Sequence, residues 1–167
     1  GHFDKYVKRK IPVDHRFALG PNELDIEDWV SIFGLSMIEP ASVLIQKVIA
    51  KLRSTGDYDL DDVIESMRAD SEATSEVKKS GVALFEAAKS WKIFAKKTEK
   101  STKIRDLIVP GKTSVLDLSI YSSTSAFNVR ALVIGLISRK LFNQRILARK
   151  QEEMESIYHG ITKGKGS

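Results

Sequence analysis

Cysteine is absent from the 167 residues, which excludes disulfides and thiolate metal sites and fits a cytosolic location. Histidine is nearly as scarce: His2, His15 and His159 are the only three, and no two stand four residues apart as a helix-borne metal pair would. Hydrophobic residues make up 42% of the chain, enough to build a core. No run reaches the roughly 18 apolar residues of a membrane helix, however, because the longest candidate ends at Arg139. No secretory leader and no internal repeat are recognisable, and Gly1-His2 reads as a cloning remnant.

Catalytic motifs are missing too. A phosphate-binding loop of the form G-x-x-x-x-G-K-[ST] opens a helix, so that backbone N–H groups and the lysine wrap the phosphates. Pro110-Gly111-Lys112-Thr113 reproduces only its end: Asp106 stands five residues before Gly111, and the following run reads as a strand, so a tight turn is expected. No apolar strand ends in Asp-Glu, and no helix-turn-helix signature with a short second helix is present. Asp61, Asp62 and Glu65 lie close together but lack the glycine-centred loop and terminal glutamate of an EF-hand, so they read as a solvated helix face.

The net charge of +5 hides an asymmetry. Residues 22–72 hold 12 acids against 4 bases, a balance of −8, and the remainder holds 23 bases against 10 acids, a balance of +13. Basic flanks of this size suit a surface turned toward nucleic acid, since neutralising phosphates drives non-specific binding. They are equally compatible with ordinary solvated faces.

The pattern of apolar residues predicts a mostly α fold, a helical bundle followed by a strand and a long helix. Residues 1–20, with the basic patch KYVKRK and alternation after Pro12, read as a connector with a short strand. Residues 21–100 read as the bundle. Asp25 is placed to cap a short helix that Gly34 stops; Ser36 and Glu39 are spaced as a capping box before a helix that ends near Ser54 at Gly56. Asp59 is placed to cap the next helix, and a longer one is expected over 75–97 with Phe85, Trp91 and Phe94 in its apolar stripe. The polar stretch KTEKSTK at 97–103 is the expected linker. Residues 101–167 then form the strand, the long helix and a Lys/Gly-rich terminal loop.

That last piece is the most informative. Val115, Leu116 and Leu118 surround Asp117 in a short apolar run that reads as a buried strand presenting Asp117 and Ser119 at its end, where open α/β sheets place ligand sites. A Ser/Thr-rich turn leads into a helix that is almost wholly apolar from Val129 to Ile137. The helix then carries Arg139, Lys140, Arg145, Arg149 and Lys150 without an acid, and Lys163 and Lys165 follow in the tail. PGKTSVLDLS and VRALVIGLISRKLFNQR, with HRFALGPNELDIEDWVSIFGLS upstream, resemble the middle of the archaeal HerA-like DNA-translocating ATPases of the FtsK/HerA superfamily.

The resemblance implies a RecA-like α/β core contributing this strand and helix, and an α-helical subdomain inserted between Walker A and Walker B. The chain would then be a piece lacking both motifs. It would have no catalytic residue, metal or cofactor of its own, although the parent protein would use ATP and Mg. The implied partners are non-specific DNA, further copies in a homo-hexamer and a NurA-type nuclease, with no membrane. Asp117, Ser119 and Arg130 become candidates for the nucleotide region, and Arg139, Lys140, Arg145, Arg149, Lys150, Lys163 and Lys165 for DNA or subunit contact. Read without the resemblance, Asp117 and Ser119 cap the turn after a strand. Two other readings of the whole chain are a non-enzymatic helical interaction module, whose acidic lobe takes a basic partner, and a small DNA-binding protein using residues 139–150.

Overall fold

In the computed structural model the described residues are 2–107, 109, 111–119 and 129–164, with side chains described for all of them except 2, 104, 105 and 159–164. They form six α-helices: α1 (His2–Lys8), α2 (Ile26–Ile32), α3 (Pro40–Thr55), α4 (Leu60–Ala69), α5 (Ser75–Ser90) and α6 (Val129–Gly164). Short 3-10 turns at Pro21–Glu23 and Ile104–Leu107 complete them, and there is no sheet among the described residues. The mostly α character expected from the sequence is therefore what is seen. The chain divides into two compact units, Gly1–Leu132 and Val133–Ser167.

Within the first unit, α2 packs on α3, and α3, α4 and α5 pack on one another. Each helix begins where its chemistry dictates. Asp25 and Asp28 form a reciprocal capping box at α2, with the Asp25 N–H donating to the Asp28 carboxylate at 2.7 Å. Gly34, at φ 66°, follows the end of α2, and Gly56, at φ 126°, follows α3; both are backbone conformations that a Cβ disfavours. At the start of α3 the Ser36 N–H donates to Glu39 at 2.6 Å, but Glu39 itself is the N-cap and Pro40 the first helical residue, where its missing N–H costs little.

Asp59 holds more than a cap. Its carboxylate accepts from the N–H groups of Asp61 and Asp62 at the start of α4 and from that of Lys97, at 2.9, 3.2 and 3.1 Å. Lys97 also reaches the Asp62 carboxylate at 3.0 Å. One aspartate thus joins α4 to a segment 38 residues away, and the stretch expected to be a linker is tied to the bundle there. Asp59→Ala is expected to lower stability by about 1–2 kcal/mol, the upper part of the range for an N-cap, as measured by urea denaturation.

Four local expectations give way to tertiary structure. The basic patch at the start forms α1 rather than a connector, stopped at Lys10 with φ 56°. The strand after Pro12 is reduced to a single parallel bridge, Leu19 to Phe94, in which the Leu19 N–H donates to the Ile93 carbonyl at 2.7 Å and the Ala95 N–H to the Leu19 carbonyl at 2.8 Å. α5 stops at Ser90, short of the expected 97, because Lys92 turns left-handed at φ 57° and releases Ile93–Ala95 for that pairing. The strand expected at Val115 to Leu118 is irregular chain with no partner strand among the described residues, and Val115 is 89% exposed.

Candidate functional site

Three residues singled out by the sequence meet at the end of the irregular segment around Val115. The Ser119 N–H donates to the Asp117 carboxylate at 2.8 Å, and the Arg130 guanidinium donates to the Ser119 carbonyl at 3.4 Å. Sequence reasoning missed the fourth member. The Tyr6 hydroxyl, from α1, donates to the other Asp117 oxygen at 2.7 Å across 111 residues of chain. The Ser119 hydroxyl, the Tyr6 hydroxyl and the Ser119 N–H hold the Asp117 carboxyl below its usual range. Asp117 thus closes a local turn of the Asx kind, using the oxygens it would need to position a ligand. Arg130 Nε, by contrast, is buried with no hydrogen-bond partner among the described residues.

The cations of α6 do not share one face. At about 100° per residue, Arg145 and Arg149 lie about 40° apart around the helix, whereas Lys150 lies about 100° from Arg149 and Lys140 is nearly opposite Arg149. Arg145, Arg149 and Lys150 are exposed; Arg139 and Lys140 are half-buried, and burial lowers the pKa of Lys140. Arg145 reaches Glu152 at 3.7 Å. The side chain of Lys163 and all of Lys165 lie outside the described residues.

Many acids of the bundle already have partners. Asp61 pairs with Lys89 at 2.5 Å, Asp62 with Lys97 at 3.0 Å and Asp25 with Arg53 at 3.0 Å, and Lys47 bridges Asp70 at 2.7 Å and Glu72 at 2.8 Å. Lys89 and Lys97 come from outside residues 22–72, so these pairs neutralise part of the acidic lobe. No group of three or more acids or histidines able to hold a metal is found among the described residues. Nor is any helix among them long and apolar enough to cross a membrane.

Asp70 carries the clearest electrostatic perturbation. The Lys47 ammonium and the N–H groups of Ala73 and Glu72 lower its pKa to about 2. Because the folded value lies below the unfolded one of about 3.9, the stability that Asp70 contributes is complete above roughly pH 4 and is lost as pH falls toward 2. Asp70→Asn should therefore flatten the stability profile between about pH 4 and 2, read from thermal melts at stepped pH, and leave its shape above pH 5 unchanged.

Compared with known proteins, the chain matches no family model, no curated protein and no solved structure.

Proposed function

We propose that this chain is the inserted helical subdomain, with one strand-and-helix unit, of a cytoplasmic HerA-like DNA-translocating ATPase acting in DNA end processing. ATP and Mg would be handled by Walker motifs elsewhere in the parent hexamer, which would work with a NurA-type nuclease. Asp117, Ser119 and Arg130 would then support the nucleotide region through the turn they build, as positioning residues rather than chemistry.

The observation that carries the reading is the apolar segment around Val115. A run with the composition of a buried strand has no regular secondary structure, with Val115 89% exposed and Leu116 and Leu118 half-buried, and no neighbouring strand among the described residues. A parallel sheet contributed by the rest of a RecA-like core would supply that neighbour on both sides. The helical interaction module is the less favoured alternative, because five acids of the lobe it needs, Asp25, Asp61, Asp62, Asp70 and Glu72, are already paired within the bundle.

The reading is tested at the gene and at the bench. The coding sequence beyond Ser167 is expected to continue into an apolar strand ending in Asp-Glu, and its absence would favour the interaction module. The chain alone is expected to show no ATP turnover, whereas the full-length product hydrolyses ATP faster in the presence of DNA. Turnover by the chain alone that Lys112→Ala abolishes would overturn the assignment and make Gly111-Lys112-Thr113 a working loop.

A further inference from the structure

The outer half of α6 exposes several large apolar side chains. Phe142, Leu147, Met154 and Ile157 are each between 62% and 68% exposed, and Ile146 is 38% exposed. On a helix of 3.6 residues per turn these five fall within an arc of about 140°. Single exposed apolar residues are ordinary, but five large ones sharing one side of one helix are not.

The charges on the same stretch have a direction. Arg139, Lys140, Arg145, Arg149 and Lys150 precede residue 151, and Glu152, Glu153 and Glu155 follow it. From these features we infer that this half of α6 is a self-association surface whose occupant is α6 of a second copy, lying antiparallel to it.

A two-fold axis near Glu152 satisfies both patterns in one register. Leu147 and Ile157 stand five residues either side of Glu152, so each lies across from the other in the second copy. Arg149 stands at the edge of the apolar arc about 40° around the helix from Glu153, so in the second copy the two lie on the same flank and within reach of one another. Lys150 faces Met154 of the second copy, its aliphatic stem covering the thioether while its ammonium reaches Glu153 beside it. Every pair occurs twice, as an isologous contact requires. A parallel pair would instead set cations on cations and glutamates on glutamates.

Nucleic acid fits this surface less well. The cations are spread around the helix rather than aligned along a backbone, three glutamates follow within about one turn, and the apolar side chains between them have no counterpart on a phosphate chain. The inference uses α6 alone and so does not depend on the motor reading. The paired stretch is only about 24 Å long, below the span of a standard interface, so a weak dimer is expected.

Sedimentation equilibrium of the whole chain at about 0.2 mM and low salt is expected to show a dimer that weakens at least about tenfold as salt rises to 0.5 M. Arg149→Glu with Lys150→Glu should yield a monomer, as should Glu153→Lys, with far-ultraviolet circular dichroism reporting whether helix content is kept. The decisive sample is the equimolar mixture of the two variants, which should recover a one-to-one heterodimer. A wild-type chain that stays monomeric at 0.2 mM overturns the inference whatever the variants do. So does a mixture that stays monomeric while both variants keep their helix content. A monomer whose binding to a duplex DNA probe is lost in the Arg149/Lys150 variant would assign the surface to nucleic acid instead.

Discussion

Trp29→Ala is expected to destabilise the first unit by about 3–5 kcal/mol, a large part of the roughly 5–15 kcal/mol that holds a domain folded. Trp29 is fully buried on α2, and its ring lies 4.8 Å from Phe85 of α5, 5.3 Å from Phe94 and 5.8 Å from Phe33. Phe33 and Phe85 meet edge to face at 5.2 Å, so the rings form one cluster. Truncation would open a cavity where α2, α5 and the segment after α5 converge. Trp29 Nε1 is buried without a hydrogen-bond partner among the described residues, so Trp29→Phe should cost clearly less than the alanine. Trp91 remains as the fluorescent reporter. Guanidinium melts in which the alanine variant loses less than about 1 kcal/mol, or matches the phenylalanine variant, would show that the ring cluster is not the centre of this core.

How much of this was readable beforehand depends on the range over which each signal acts. Caps are local, and Asp25, Asp59, Gly34 and Gly56 all stand where their chemistry places them in the sequence. The end of α5 was not readable, because Trp91, Ile93 and Phe94 continue the apolar stripe of the helix with no glycine or proline to break it. What ends the helix is distant: Leu19 takes the backbone of Ile93 and Ala95, and a non-glycine residue, Lys92, adopts the left-handed turn that allows it.

The candidate site divides along the same line. Asp117 and Ser119 were legible as a turn because the bond joining them spans two residues. Tyr6 was not, since nothing in KYVKRK marks a tyrosine as the partner of a residue 111 positions later. Around Val115 the composition reads as a strand, but composition specifies only a pairing preference, and a strand exists only where a second chain segment completes the ladder. In α6 the apolar-to-basic change is plain in the sequence.

The long helix provides the second large effect and an internal control. Leu136 is buried and Ile134, two residues earlier on the same helix, is more than half exposed. The two side chains have the same number of carbons, so truncation to alanine removes nearly equal apolar material, and any difference in cost reflects burial. Leu136→Ala is expected to cost about 2–5 kcal/mol through lost burial and the cavity left behind, whereas Ile134→Ala should stay within about 0.5 kcal/mol. The measurement is a pair of denaturation curves followed by helix content. Equal, small losses would mean that Leu136 is not packed in solution, and that the apolar start of α6 needs parts of a larger protein to cover it. A large loss at Leu136 alone would show that the chain buries the inner part of this helix by itself.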